Sequence, residues 1–331
     1  MYFLLITSLI LALLLVLNAA ISISASVLWR FAAKQTRDWT AQNRARFIFA
    51  LRVFPFASAL VFALAFLLPA YLLFEPHSSN ETVGFKLAFL SIVSATGVGF
   101  AFYKVFRTRR ATRNLVADWM KYAEPIRVEG VSIPVYKIKH SFPVIAVVGA
   151  FRPRMFVAGQ IFESLNDAEF QAAARHEAGH LVARDNLKRT IMRTCRDLLI
   201  FPFGQKLDRA WAENIEAGAD EYAAQNGGKQ TALNLASALI KIARIIPDGA
   251  KPSMPAGAFL IEAPTAEIAF RVLKLLQMSD GKTIFQTARS SNFLFGLYSV
   301  SALFVLTLLA TNQNFLQEVH DILEAIVAFL Q

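Results

Sequence analysis

The sequence predicts an α-helical membrane protein with four transmembrane helices and an α+β domain inserted before the last of them. Two observations carry that expectation. Of 331 residues, 55% are hydrophobic and only 18% are charged, and the apolar residues are gathered into a few long blocks, as expected where lipid rather than water is the solvent. Between the third block and the fourth lies a long stretch, 107–290, with no comparable run.

The first block, Tyr2 to Leu28, carries no charge and is long enough to cross a hydrocarbon core of about 30 Å. It lacks the basic start and the short apolar core of a cleavable signal peptide. The second block runs from about Val53 to Phe74, with Pro55 and Pro69 near its ends, where proline disturbs a membrane helix least. The third runs from about Leu87 to Phe106, so 1–106 is expected to hold three spans (about 2–28, 53–74 and 87–106). The fourth, Phe293 to Ala310, fills the segment 291–312.

Lys and Arg resist translocation when they sit in short loops, so their distribution sets the orientation. Arg30, Lys34, Arg37, Arg44, Arg46 and Arg52 crowd the first loop, whereas Glu75 to Gly84 has no Lys or Arg. Lys104, Arg107, Arg109, Arg110 and Arg113 follow the third block, and Thr311 to Gln331 again has none. The expected arrangement is an outside N-terminus, a cytoplasmic domain over 107–290, and an outside tail over 313–331. That tail repeats Phe315, Val319, Ile322, Leu323, Ile326 and Leu330 at helical spacing, as an amphipathic helix does. The net charge of +10 is accordingly read as membrane-flanking, with the lipid bilayer and not nucleic acid as the partner. A single cysteine, Cys195, excludes an internal disulfide and any multi-cysteine metal cluster.

Within the inserted domain, Val131–His140, Pro143–Val148 and Arg154–Ala158 read as short strands, punctuated by Gly149, Pro153 and Gly159. Ser164-Leu165-Asn166-Asp167 then supplies a helix start of the capping-box type, and Glu169 adds negative charge where the helix dipole favours it. An alanine-rich helix is expected from there, continuing past Arg184. It contains His176-Glu177-Ala178-Gly179-His180. Residues four apart share a helix face, so His176 and His180 can direct two imidazoles at one ion while Glu177 projects beside it. Zinc with three protein ligands keeps one position for water, and a neighbouring carboxylate can take the proton of that water. Glu177 is the expected base.

A third ligand must come from elsewhere. His77 and His320 fall on the other side of the membrane by the charge argument, and His140 is poorly placed. The acidic stretch Glu213 to Glu221, small at its centre, suits close helix packing. Glu216 is the choice within it and Glu213 the fallback. Asp220, one turn on, is suited to orient a ligating imidazole through its free ring N–H.

These residues resemble the BlaR/MecR-type membrane metallopeptidases, gluzincins whose third zinc ligand is a glutamate. His176-Glu177-Ala178-Gly179-His180 followed by Asp185 matches H-E-x-x-H-x-x-x-x-D, and Glu216-Ala217-Gly218-Ala219-Asp220 resembles the family's E-x-x-[AC]-D segment. Three spans before the domain and one after it also agree. The resemblance covers roughly residues 85–310. It implies a gluzincin-type domain holding one zinc ion on His176, His180 and Glu216, with Glu177 as general base, Asp185 and Asp220 beside the ligands, and a protein or peptide substrate cut on the cytoplasmic side. Signal-sensing relatives carry a large sensor after the last span; only the short tail follows Ala310 here, so direct ligand sensing is not expected. The HtpX and CAAX-processing peptidases share the zinc motifs with a different span order. A catalytically silent scaffold would keep the same pattern. Pro143–Val148 is the expected substrate-binding strand, and His140, Tyr222 and Arg271 remain open as donors to a developing oxyanion.

Overall fold

The computed structural model describes residues 2–76, 82–199, 204–246, 265–280 and 303–330. The described chain is mostly helical, with one small mixed sheet. Helix α1 spans Tyr2–Gln35 and α2 Ala41–Phe62; a π-helical turn, Ala63–Leu67, leads into α3, Leu68–Phe74; and α4 spans Phe85–Met120. α1, the α2–α3 unit and α4 are each long and apolar enough to cross a membrane. Most of the fourth apolar block lies outside the described residues; 303–311 are helical.

All three helices outrun the apolar blocks that predict them, and they do so at one end. α2 begins twelve residues before Val53, so Arg44, Arg46 and Arg52 lie on a helix, not in a loop, and Pro55 is interior. Propensity allows this because Arg, Ala and Phe are acceptable helix formers, while hydropathy records only the apolar part. The π-helical turn directly precedes Pro69. A proline ring crowds the carbonyl four residues back, and the wider turn, in which Leu68 N–H reaches Ala63 O, accommodates it. Ser91 Oγ of α4 donates to Ser8 O of α1 at 2.9 Å, a polar contact between two spans.

The sheet contains β1 (Glu124–Ile126), β2 (Val135–Ile138), β3 (Ile145–Val148) and β4 (Arg154–Ala158) in the order β1-β2-β4-β3, with β2 and β4 parallel and the other pairs antiparallel. β1 is absent from the sequence reading, since three residues with proline at the centre give no period-two signal. α5 (Gly159–Ser164), α6 (Asp167–Ala183), α7 (Asp185–Asp197), α8 (Gln205–Ile245) and α9 (Thr265–Ser279) follow. α8 breaks at Gly228, whose φ of 76° is open to glycine at little cost. The last helix, α10, spans Gln313–Leu330.

Three apolar clusters hold these elements. The largest joins β2–β4 to α6, α8 and α9 through Phe156, Met155, Ala173, Leu235, Leu239 and Leu275. A second, Trp29, Ile48, Met192, Leu207, Trp211 and Ile215, fastens the ends of α1 and α2 to α7 and α8. The third lies at the opposite end of α1, where Leu5, Leu67, Tyr71 and Leu87 receive Leu316, Val319 and Leu323 of α10. Arg52, almost wholly buried, pairs with Asp208 at 3.0 Å, and Ala41 N–H donates to Glu221 at 3.0 Å. The first part of α8 is therefore fixed to the helix bundle as well as to the sheet domain.

Candidate metal centre

α6 starts on a reciprocal cap: Asn166 Oδ1 accepts from Glu169 N–H, and Glu169 Oε2 accepts from Asn166 N–H, both at 2.9 Å. The helix does not continue past Arg184 as expected. Arg184 adopts the left-handed conformation, φ 55° and ψ 40°, ending α6 at Ala183 and starting α7 at Asp185. Non-glycine residues adopt this conformation only when surrounding contacts enforce it. Here the break brings the Asp185 carboxylate to 2.8 Å from His180 Nδ1. An uninterrupted helix would put residues 180 and 185 on different faces.

On the other side, Asp220 Oδ1 lies 2.8 Å from His176 Nδ1. Each imidazole therefore turns Nδ1 toward a carboxylate, through a hydrogen bond at His180 and as a close pair outside hydrogen-bond geometry at His176, an arrangement that favours a proton on Nδ1 and an Nε2 lone pair facing inward. The two Nε2 atoms are 3.2 Å apart. Glu216 completes the group, 3.6 Å from each Nε2 through a different oxygen. His176, Glu177 and His180 are buried, and His176, His180 and Glu216 could together hold a metal ion. Two inward lone pairs at that separation repel unless a proton or a cation stands between them. The geometry calls for a positive charge at the point the three ligand atoms surround.

Close approach of α6 and α8 makes this possible. A Cβ added to Gly179 would lie 3.1 Å from Ala219 Cα, so only the small pair Gly179 and Ala219 allows the helices this near. Arg271 of α9 then holds the acidic residues of α8. Its Nε and Nη2 donate to the two oxygens of Asp220, each at 2.8 Å, and Nη1 donates to Glu216 at 3.1 Å. One guanidinium touching two carboxylates leaves net negative charge at the imidazole pair, which favours a cation. The sequence reading offers Arg271 only as an oxyanion donor; the structure commits it to orienting Glu216 and Asp220. Its signal is a lone arginine within an apolar helical pattern, where an unpaired charge would be costly.

Electrostatics divide the carboxylates. Burial alone would raise Glu216, but the neighbouring His180, His176 and Arg271 hold it down to about 2. Asp220 is likewise burdened by burial yet pulled well below the carboxylate range, mainly by Arg271 and His176. Glu177 goes the other way: burial pushes it up to about 8, only partly opposed by His180. For His176, burial is outweighed by Asp220 and Glu216, which raise it.

Glu177 Oε2 accepts from Val147 N–H of β3 at 3.2 Å, while Oε1 is buried without a hydrogen-bond partner. Among the described residues β3 is an edge strand. In its pairing with β4, Val147 faces Met155 as a non-hydrogen-bonded pair, so its N–H and C=O point to the free edge. Asn186 Nδ2 donates to Val147 O at 2.8 Å and to Gly149 O at 3.3 Å. A segment pairing with this edge thus meets polar groups already engaged at Val147, which the sequence reading of Pro143–Val148 does not anticipate.

The other named residues stand apart. Glu213 is exposed and paired with Arg209 at 3.3 Å. His140 Nδ1 is engaged with the backbone of Phe142, and its ring packs on Trp119. The Cβ of Tyr222 lies beside Gly179. His320 lies on α10 with its ring against Phe74, and His77 lies outside the described residues. The chain matches no protein-family model and no curated protein.

Proposed function

We propose that this chain is a membrane-bound zinc endopeptidase that cuts a cytoplasmic or membrane-proximal protein, with His176, His180 and Glu216 as metal ligands and Glu177 as general base. The observation that carries the reading is the convergence of two inward Nε2 atoms and the Glu216 carboxylate beside a buried carboxyl group. The donor set suits zinc. At bonds of about 2.0–2.1 Å, neighbouring ligand atoms in a tetrahedral site lie about 3.3 Å apart, close to the separations of 3.2 and 3.6 Å here. Two imidazoles and one carboxylate leave the open position that catalysis needs.

When bound, zinc supplies Lewis acidity: it makes water acidic near neutral pH and polarises a peptide carbonyl. The protein's own groups do the rest. Val147 N–H fixes one oxygen of Glu177, leaving Oε1 to take the proton of the attacking water and pass it to the leaving amine. Asp185 and Asp220 keep the protons of His180 and His176 on Nδ1, so both Nε2 atoms stay available. Arg271 holds Glu216 in place and is not free to serve the oxyanion.

The basic residues gathered at the end of the spans nearest this centre favour a cytoplasmic active site and an outside N-terminus in a bacterial plasma membrane. Regulatory cleavage of the antirepressor type is the role we favour. The test compares wild type with Glu177→Gln, measuring bound zinc and cleavage of cytoplasmic proteins together. Retained zinc with lost cleavage is expected; equal cleavage by the variant would remove Glu177 from the mechanism.

A further inference from the structure

The structure assigns a second metal site, formed by Glu75, His320 and Glu324, at the end of the helix bundle opposite the first. Leu5 of the cluster around α10 and Ala32 of the cluster around α8 stand roughly 40 Å apart along α1 at its rise of 1.5 Å per residue. The two centres therefore share no residue and cannot exchange an ion without its release.

Glu75 ends α3, and His320 and Glu324 are one turn apart on α10, so one helix supplies two ligands and a span supplies the third. His320 Nε2 lies 3.9 Å from Glu75 Oε2 and 3.5 Å from Glu324 Oε1, and the three ligand atoms all lie within 4.8 Å of one another. Elsewhere in this chain a histidine paired directly with a carboxylate sits at 2.8 Å. The wider gaps around His320 are too long for hydrogen bonds and of the size that a shared ion spans.

His320 is only 7% exposed, and its Nδ1 is buried without a hydrogen-bond partner. The Glu75 side chain is 5% exposed, and among the described residues its carboxylate faces only this imidazole. The Glu75 carboxylate and the Nε2 of the imidazole, 3.9 Å apart with no hydrogen bond between them, both gain a partner from one coordinated cation, while Nδ1 lies on the far side of the ring from it. The position is set by packing rather than by the charges: Leu316, Val319 and Leu323 seat α10 against Leu67 and Tyr71, and the Phe74 ring lies 5.9 Å from the imidazole. Glu324 is exposed and gives the site an open rim.

One nitrogen and two carboxylate ligands select a divalent first-row cation such as Zn²⁺, Mn²⁺ or Fe²⁺ over thiophilic Cu⁺. The ion fastens α10 to α3. The full chain, purified in detergent and stripped with chelator, is titrated with Co²⁺, read by visible absorption and by bound-metal analysis. In the double variant His176→Gln, His180→Gln, one equivalent is expected to remain. In that background His320→Gln abolishes it, and Glu324→Gln, at an exposed position that disturbs no packing, weakens it by about tenfold or more. If the double variant is not monodisperse, Glu324→Gln is compared with wild type, where one binding phase is expected to weaken and the other to stay. Co²⁺ binding unchanged by Glu324→Gln and His320→Gln overturns the site. The outcome is independent of peptidase activity, which Glu177→Gln tests alone.

Discussion

Replacing Glu177 by glutamine should stabilise the metal-free chain at alkaline pH and leave it unchanged in acid. The Glu177 carboxyl is pushed up to about 8 from an ordinary 4.5 by burial. Because the folded state binds the proton more tightly than the unfolded state, stability falls as pH rises. The penalty is absent below about pH 4.5, grows through the interval, and is complete above about pH 8. At 1.36 kcal/mol per pKa unit the full penalty is on the order of 5 kcal/mol. Glutamine keeps the acceptor for Val147 N–H but never ionises, so it escapes the penalty. Thermal unfolding of chelator-treated wild type and Glu177→Gln in detergent, at pH 5 and pH 8.5, reads this directly. The variant should gain on the order of 5 °C or more over wild type at pH 8.5 and nothing comparable at pH 5. An identical pH dependence of the two proteins would refute the claim that burial of Glu177 outweighs its hydrogen bond from Val147 and the nearby His180.

Other expectations follow from the same geometry. Gly179→Val puts branched carbon where even a Cβ meets Ala219 Cα at 3.1 Å; it should destabilise the chain by about 1–3 kcal/mol and lower metal affinity by pushing Glu216 away, both measurable by unfolding and metal titration. Asp185→Asn removes the acceptor that fixes the His180 proton on Nδ1 and should weaken metal binding by about 10–100-fold, with Asp220→Asn acting similarly through His176. Arg271→Met leaves Glu216 and Asp220 without their guanidinium; a loss of about 3–5 kcal/mol is expected in the metal-free chain, and a smaller loss once metal is bound.

The parts of the fold legible in the sequence are those with local causes. Apolar blocks announce α1, the α2–α3 unit and α4, and Ser164 to Asp167 announces the start of α6, although the cap itself is the reciprocal pair of Asn166 and Glu169. Hydropathy does not see where a helix runs on in polar residues, so Arg44 to Arg52 read as a loop although they continue α2. At the centre, the spacing of His176 and His180 is a helical fact and Glu177 follows from it. The left-handed break at Arg184 is not readable, because its purpose, the reach of Asp185 to His180, exists only in three dimensions. The same holds for Arg271, which meets Glu216 and Asp220 across more than fifty residues, and for the Glu177 contact with Val147. Glu75 and His320 are farther apart still, and only the docking of α10 on the spans brings them together.

The central claim is tested most directly by mapping new protein N-termini when the full-length chain, wild type or Glu177→Gln, is added to a cytoplasmic and membrane protein extract, with bound zinc measured in both preparations. One zinc ion held in both preparations and missing from a His176→Gln preparation measured alongside, beyond any bound at Glu75 and His320, together with N-termini that appear only with the wild type, is the predicted result. The same N-termini from both proteins, or no zinc bound at His176, His180 and Glu216, would contradict the account.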